Sequence, residues 1–225
     1  MILRRNNVQI SGKGQRAIMF VHGFGCNQHM WDAVAPAFET DYRVILFDHV
    51  GAGGSDLSAY SSDKYGTLAG YARDVVEIGR ELGLQNAVFV GHSVSAMIGA
   101  LASIDAPDMF ADLVMVGPSP RYLDDGDYSG GFSQDQIDDL LAFLADNHLG
   151  WSAAMAPMIM GNPDRPELGN GSRPASAPPI RRSHASSPRL PSSRTTAPTS
   201  RRLPRARLFS SAARISSPPS RLASM

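Results

Sequence analysis

Short apolar runs alternate with segments of helical periodicity along the first 120 residues. Four runs rich in Ile, Val, Met and Phe are typical of strands buried on both faces of a sheet. They lie at 17–21, 43–47, 87–90 and 113–116. Between the second and third runs, apolar residues recur every three or four positions and predict an amphipathic helix that ends near Gly83. Strands and helices therefore alternate, which predicts an α/β fold with a parallel sheet and helices on both faces.

Three weaker patterns complete the predicted architecture. Residues 8–10 could form a short edge strand, and the apolar positions within 27–38 have the spacing of one helix face. Ser133 and Gln136 form a predicted capping box in front of a further helix, which has no strand around it. A helical cap inserted over the active edge of the sheet would explain a lone helix there.

Polar residues follow the predicted strands at their carboxyl ends. They are His22, Asp48, Ser93 and Ser119. Because sites in parallel α/β sheets lie at the carboxyl ends of the strands, we expect these residues to share one edge of the sheet.

The stretch 87–99 predicts a strand, a sharp turn and a helix. A turn this tight can lift the Ser93 hydroxyl above the strand ends only if the residues two before and two after it are small. Gly91 and Ser95 are both small. The usual nucleophile elbow has glycine at both places, so Ser95 is a mild departure, and a plain strand-to-helix turn remains the alternative.

A second turn follows the first buried strand. In residues 22–25, the glycines on either side of Phe24 let the backbone turn its N–H groups outward. Acyl transfer needs two such donors at the developing oxyanion, one from the residue after the nucleophile and one from an earlier loop. Phe24 and Val94 are the candidates. An ordinary turn would explain the same glycines.

The glycine-rich loop at 51–54 raises the alternative of nucleotide binding. No Gly-Lys-Ser/Thr sequence follows it, and Asp56 stands where a dinucleotide fingerprint has its third glycine. We therefore expect neither a nucleotide nor any other cofactor, and no metal.

Composition divides the chain into two unlike parts. Residues 1–168 carry 21 acidic and ten basic side chains, whereas residues 169–225 carry eleven arginines and no acidic residue. The net charge of zero is therefore a cancellation and says nothing about partners. Cys26 is the only cysteine, which fits a reducing compartment. The sequence shows neither the apolar segment of a signal peptide nor a run of membrane-spanning length, so we expect a cytoplasmic protein with no membrane partner.

The segment from about Gly169 onward has the composition of an unfolded tail. It holds 14 Ser, 11 Arg and 9 Pro in 57 residues. Ordering each residue costs roughly 1 to 2 kcal/mol of backbone entropy, and few of these side chains bury apolar area in return. We predict an unfolded segment that arises from an out-of-frame reading of the gene, which the other frames of the coding DNA would test. The rival is a basic tail for nucleic acid. Phe209 is its only aromatic residue, so stacking side chains are missing and we expect no nucleic-acid partner.

Four stretches together resemble one branch of the α/β-hydrolase family. They are residues 21–25, 48–53, 90–99 and 117–123. This branch contains the bacterial stress-pathway regulator RsbQ and the plant strigolactone and karrikin receptors, and serine is ordinary in it at the place of Ser95. The resemblance covers residues 1 to about 168. It implies a serine hydrolase with a helical cap over a mostly apolar pocket for a small ester- or lactone-like ligand, in some members with a signalling partner protein.

The resemblance also implies roles for individual residues. Ser93 corresponds to the catalytic nucleophile, the backbone of Phe24 and Val94 to the oxyanion hole, and Phe132 and Trp151 to residues that face the ligand. Residues 1–122 then form the hydrolase core, residues 123–168 begin the cap, and residues 169–225 form the tail.

The chain departs from the family where catalysis depends on it. The family's triad continues from the serine to an Asp or Glu and then a His, on loops after later strands. After Glu167 the sequence has no acidic residue, and its one later histidine, His184, follows no strand-like run. His148, on the predicted cap, is no better placed. Two functions therefore compete: a serine hydrolase that is feeble or inactive in this chain, and a non-enzymatic regulator that binds a small ligand and a partner protein.

Overall fold

The computed structural model describes residues 1–146 and 205–209. They divide into two compact units, residues 1–119 with 205–209 and residues 120–146. The strands are β1 (Gln9–Ser11), β2 (Arg16–Val21), β3 (Tyr42–Phe47), β4 (Ala87–His92), β5 (Phe110–Val116) and β6 (Arg205–Phe209). The α-helices are α1 (Ile2–Arg5), α2 (Ser62–Tyr65), α3 (Leu68–Glu81), α4 (Val94–Asp105) and α5 (Gln134–Asp146). Short 3-10 helices lie at Gln28–Trp31, Ala35–Phe38 and Leu57–Ala59.

The six strands form one sheet in the order β1-β3-β2-β4-β5-β6. Only β1 runs antiparallel, beside β3, and the other neighbours in the sheet are parallel. Val21 at the end of β2 pairs with Phe47 on one side and Gly91 on the other, so the carboxyl ends of the central strands lie level. The predicted α/β fold is confirmed.

Side chains that alternate along the strands build two apolar cores. Met19 and Val21 belong to the core that also includes residues of α3 and α4, with fully buried Val75 and Ile78 from α3. Ile18 and Phe20 point to the other face, where Trp31 lies with its ring centroid 5.2 Å from that of Phe20. Both faces of the strands are therefore buried, as their uninterrupted apolar runs predicted.

The prediction of one helix over residues 27–38 is wrong. Two 3-10 helices stand there, and the Asn27 side chain caps the first by accepting a hydrogen bond from the His29 N–H. Pro36 lies in the first turn of the second. Proline lacks the N–H that a continuous helix needs at that point and disfavours helical backbone at the residue before it, so the helix is interrupted.

The segment Arg205–Phe209 forms a strand parallel to β5, in register from Asp112↔Arg205 to Val116↔Phe209. The expectation of an unfolded tail therefore does not hold for these five residues. Without β6, β5 would leave a row of backbone N–H and C=O groups unpaired at the edge of the sheet, and a short run ending in Leu208 and Phe209 can add to such an edge. The rest of residues 169–225 lies outside the described residues.

The unit of residues 120–146 begins with a folded loop. Phe132 donates its N–H to the Tyr122 carbonyl at 3.1 Å, and the Asp124 carboxylate accepts the N–H groups of Gly130 and Gly131. The predicted capping box is confirmed, because the Ser133 N–H donates to the Gln136 side chain and the Gln136 N–H donates to the Ser133 hydroxyl. Among the described helices, none is long and apolar enough to cross a membrane.

Candidate active site

Residues that follow neighbouring strands meet at the carboxyl edge of the sheet. His22 comes directly after β2, Asp48 directly after β3 and Ser93 directly after β4. These three strands are neighbours in the sheet. Ser119 follows β5, the next strand in the sheet. The predicted placement of these residues at strand ends is confirmed.

Ser93 stands in a strained turn between β4 and α4. Its backbone has φ 55°, a conformation that side-chain-bearing residues rarely adopt, and it is the N-cap of α4. Its N–H donates to the Val116 carbonyl at 2.8 Å, which anchors the turn to β5. A Cβ at Gly91 would lie 2.5 Å from the Ser95 carbonyl oxygen, so only glycine fits there. The tight turn predicted from the small residues is present.

The loop after β2 passes close to Ser93. A Cβ on Gly23 would lie 2.6 Å from His92 Nδ1 and 3.2 Å from Ser93 Cβ, so the backbone of this loop lies against the turn. Gly25 has φ 73°, which glycine adopts without strain. The Phe24 side chain between them is 61% exposed. The candidate oxyanion loop and the candidate nucleophile are therefore neighbours.

Val94 is the first residue of α4, immediately after Ser93. The first N–H groups of a helix have no partner within the helix, and the helix dipole makes this end favourable for negative charge. The backbone beside Ser93 is therefore suited to stabilise an anion.

Asp48 organises the loops around this edge although the sequence predicted only its position. Its buried carboxylate accepts hydrogen bonds from the Gln28 N–H at 2.8 Å, the Gln28 side chain at 3.0 Å, the Asn7 side chain at 2.8 Å and the Gly54 N–H at 2.8 Å. His22 Nε2 lies 3.9 Å from Asp48 Oδ1, too far for a hydrogen bond. Neutral N–H donors therefore hold this carboxylate in place.

His22 uses both ring nitrogens in local hydrogen bonds. Nδ1 lies 2.9 Å from the Gly23 carbonyl, and Nε2 accepts the His49 N–H at 3.1 Å. Burial lowers the pKa of His22, against a smaller opposing effect of the Gly23 carbonyl and Asp48. With both nitrogens engaged and the ring 2% exposed, His22 supports the loop and is not placed to act as a base.

His49 and Ser95 form hydrogen bonds beside the turn of Ser93 that the sequence did not predict. His49 Nε2 lies 2.8 Å from the Ser95 hydroxyl, and that hydroxyl donates to the His22 carbonyl. Burial, and then the nearby His22, lower the pKa of His49 well below its ordinary value. Predicted only as a small residue, Ser95 is thus also a bridge between α4 and the loop after β2.

His92 precedes Ser93 and completes a group of three histidines. Burial, and then His22, lower its pKa, and its buried Nδ1 has no hydrogen-bond partner within the described part of the chain. Burial raises the pKa of the Cys26 thiol in the neighbouring loop. In the described residues, no group of His, Cys, Asp and Glu is arranged to hold a metal ion.

The remaining predicted site residues lie in the second unit or outside the described residues. Phe132 is half-buried and lies in the second unit, residues 120–146. Trp151, His148 and His184 lie outside the described residues. Their predicted roles stay predictions.

Comparison with known proteins identifies relatives of the same branch that the sequence resembled. The chain is 44% identical over 156 residues to the karrikin insensitive 2 receptor CA of Petunia hybrida, an alignment that covers 69% of this chain and 58% of the receptor. It is 41% identical over 160 residues to a strigolactone esterase of Arabidopsis thaliana, covering 71% and 60%. The predicted resemblance to the strigolactone and karrikin receptors is confirmed. The chain spans less than two thirds of the length of these relatives.

Comparison with solved structures also finds a hydrolase and an esterase. A hydrolase from Oleispira antarctica matches with a TM-score of 0.72 and 40% identity, over 76% of this chain and 63% of that chain. An esterase from Exiguobacterium antarcticum, at 21% identity and a TM-score of 0.65, shares the fold. Residues 16–153 match the alpha/beta hydrolase fold family as a whole. This chain, with its parallel sheet and its strained serine at the end of the central strand β4, belongs to the α/β-hydrolase family.

Proposed function

We propose that this chain is a serine hydrolase for a small ester- or lactone-like ligand, with Ser93 as the nucleophile. The observation that carries the proposal is the positive φ of Ser93 in the turn between β4 and α4. Such strain persists only where the surrounding structure holds it, and it is concentrated at functional sites. In the nucleophile elbow of α/β-hydrolases it raises the serine hydroxyl above the edge of the sheet.

The proposed reaction is acyl transfer. The Ser93 hydroxyl loses its proton to a base and attacks the ester carbonyl, and the negative charge that develops on the carbonyl oxygen is stabilised by the backbone N–H groups of Phe24 and Val94. The bond to the alcohol then breaks, the alcohol leaves with a proton, and water hydrolyses the acyl-serine to release the acid. The close approach of Gly23 to Ser93 and the position of Val94 at the start of α4 support this assignment. Losing one such donor typically costs on the order of 10² to 10³ in turnover.

We propose that hydrolysis by this chain is slow. A serine hydroxyl needs a base to attack, and after Glu167 the sequence supplies no acidic residue and only His184. Among the histidines at the described edge, His22 and His49 are already engaged with the His49 N–H and the Ser95 hydroxyl. Burial lowers the pKa of the third, His92, which makes it a weaker base. Removing a triad serine or histidine costs on the order of 10⁶ in turnover, and the oxyanion hole and binding alone leave ~10³ to 10⁴ over water.

The ligand class rests on the relatives. A strigolactone esterase and a karrikin receptor align with two thirds or more of this chain. The match to the alpha/beta hydrolase fold family, residues 16–153, includes the strand ends that hold Ser93 and His22. A short ester or lactone presents the carbonyl that the proposed oxyanion hole would polarise. Phe132 and Trp151 are the residues that we propose face this ligand.

A second function is supported by the same relatives. Several of them are named as receptors, and after Glu167 this chain has no acidic residue and a single histidine, His184. A regulator that binds a small ligand and signals to a partner protein would need the ligand-binding site but not the ability to hydrolyse the ligand.

A chromogenic short-chain ester separates the two functions. Slow turnover that disappears in Ser93→Ala and persists in Ser58→Ala, a change at an exposed serine outside the site, supports the hydrolase. Turnover that Ser93→Ala leaves unchanged contradicts it. No turnover, together with saturable binding of a lactone in calorimetry, supports the regulator.

A further inference from the structure

A closed set of hydrogen bonds lies behind Ser93 and joins three elements. The Ser95 hydroxyl of α4 donates to the His22 carbonyl, and His49 Nε2 lies 2.8 Å from the same hydroxyl. The His49 N–H donates to His22 Nε2 at 3.1 Å, and His22 Nδ1 lies 2.9 Å from the Gly23 carbonyl. All three side chains are buried. The loop after β2, the loop after β3 and the first turn of α4 are therefore connected through polar groups shielded from water.

Counting protons fixes the state of both rings. His22 Nε2 accepts a backbone N–H, so it carries no proton, and Nδ1 must be protonated to donate to the Gly23 carbonyl. A carbonyl can only accept, so the single proton of the Ser95 hydroxyl is directed to His22. His49 Nε2 must then carry the proton of its own hydrogen bond to Ser95. His22 is therefore neutral and protonated at Nδ1, and His49 is protonated at Nε2.

We propose that Ser95 and His49 are positioning residues, which hold the loop of His22, Gly23 and Phe24 against Ser93 through the His22 carbonyl. The inference rests on the proposed function, because this loop carries a proposed oxyanion donor. Ser95 can serve because its hydroxyl is fully buried two residues after Ser93, on the rigid first turn of α4. His49 in turn fixes the direction of that hydroxyl by donating to it.

The surroundings of His49 favour the neutral ring. Three rings contact the His49 ring, those of His22, Tyr71 and Phe47, with centroid distances of 4.7, 5.2 and 5.5 Å. The Asp48 carboxylate lies 3.9 Å from Nε2 of His22. None of the side chains in direct ring contact is an anion. A second proton would go to Nδ1, which is buried and has no hydrogen-bond partner in the described residues. Burial and His22 both lower the pKa of His49 accordingly.

Nitrogen-15 NMR of the histidine rings tests the network without requiring any activity. At pH 7.5 we expect His22 to be protonated at Nδ1 and His49 at Nε2, with a slowly exchanging His49 ring proton. In Ser95→Ala that proton should exchange at least tenfold faster. The matched control is Ser103→Ala, a buried serine of the same helix whose hydroxyl donates to the Ala100 carbonyl. A His49 ring protonated at Nδ1, or cationic at this pH, would overturn the inference.

The rate at which a fluorophosphonate probe labels Ser93 tests the positioning itself. We expect Ser95→Ala to slow labelling by about tenfold or more, since a displaced donor loses most of its effect, and Ser103→Ala to leave the rate unchanged. Adding His49→Phe to Ser95→Ala should cost less than the two single effects combined. Equal rates for Ser95→Ala and the unmodified chain would overturn the inference.

Failure of the proposed function gives a different result. If the unmodified chain is not labelled at Ser93, the hydrolase proposal fails, and amide hydrogen exchange across residues 22–26 decides the positioning role. Faster exchange in Ser95→Ala than in Ser103→Ala supports it, and equal exchange overturns it.

Discussion

The Asp48 carboxylate accepts hydrogen bonds from both the backbone and the side chain of Gln28, at 2.8 and 3.0 Å. Through this pair the loop after β3 holds the loop after β2. Further donors from Asn7 and Gly54 bring the N-terminal segment and the glycine-rich loop to the same carboxylate. The glycine-rich loop at 51–54 thus donates to the Asp48 side chain of this protein, whereas a nucleotide-binding loop would donate to phosphate.

Replacing Asp48 by asparagine should destabilise the fold. The amide keeps one acceptor oxygen and turns an NH₂ group toward N–H donors, so charge-assisted hydrogen bonds are lost and buried donors are left unpaired. We expect the free energy of unfolding to fall by roughly 2 to 3 kcal/mol. Urea unfolding measures this, with Asp32→Asn as the exposed control. A loss no greater than that of the control would show that the Asp48 contacts are not stabilising.

Gly23→Ala should damage the site more than the fold. The added Cβ would lie 2.6 Å from His92 Nδ1 and 3.2 Å from Ser93 Cβ, so the loop or the serine must move. We expect fluorophosphonate labelling to fall at least tenfold, in the range seen for loss of an oxyanion donor. The matched control is Gly83→Ala, where the new Cβ meets nothing within 4 Å but φ is 62°, so that stability falls and labelling does not. Equal labelling in the two variants would remove Gly23 from the site.

Stability should decrease as the pH falls through the range of histidine titration. The folded-state pKa values of His22, His49 and His92 are lowered by burial, so the unfolded chain binds protons more readily. Their contribution is complete above the ordinary pKa of about 6.5 and is lost as the pH falls toward the folded values. Each histidine adds a slope of up to about 1.4 kcal/mol per pH unit.

The measurement is the free energy of unfolding between pH 7.5 and 5.5. We expect His49→Gln to reduce the slope relative to that of the unmodified chain. A slope that does not respond to His49→Gln would mean that folding does not lower the pKa of His49.

The buried Asp74 of α3 is the centre of an ionic cluster. Arg5 Nη2 and Lys64 Nζ each lie 2.6 Å from its carboxylate, and the Tyr65 hydroxyl donates to it at 2.9 Å. Asp74→Ala removes the acceptor of the Tyr65 hydroxyl and leaves Arg5 and Lys64 with Glu77, at 3.2 and 3.8 Å. We expect this to cost roughly 3 kcal/mol in unfolding free energy, the low end for a broken buried pair, because Arg5 and Lys64 can still reach Glu77 and water. Arg16→Ala, in the more exposed pair with Asp112, should cost less than about 1 kcal/mol. Similar losses in urea unfolding would contradict the distinction.

Local sequence patterns predicted the parts of the fold that depend on neighbouring residues. The strands and α3 follow from uninterrupted apolar runs and from helical spacing, and the turn at Ser93 follows from the small residues Gly91 and Ser95. The prediction failed over residues 27–38, because it relied on the apolar spacing and did not consider Pro36, which interrupts the helix. The strand β6 was also missed, because parallel pairing with β5 joins segments about 90 residues apart, for which no local pattern exists.

The polar contacts of the site could not be predicted from sequence. The Ser95 hydroxyl bonds to residues 46 and 73 positions away, and Asp48 to residues on three separate loops. One available signal was the serine that replaces the usual glycine two residues after Ser93. A hydroxyl at a fully buried position needs a partner, and this requirement could have directed attention to the loops beside it.

The site of fluorophosphonate attachment, located by peptide mass spectrometry, tests the role of Ser93 most directly. The other serines of the chain serve as internal controls, since they share the reagent and the conditions. We predict a slow, single modification on the peptide that contains Ser93, abolished in Ser93→Ala and retained in Ser58→Ala. Modification spread over several serines, or modification that survives Ser93→Ala, would contradict Ser93 as the nucleophile.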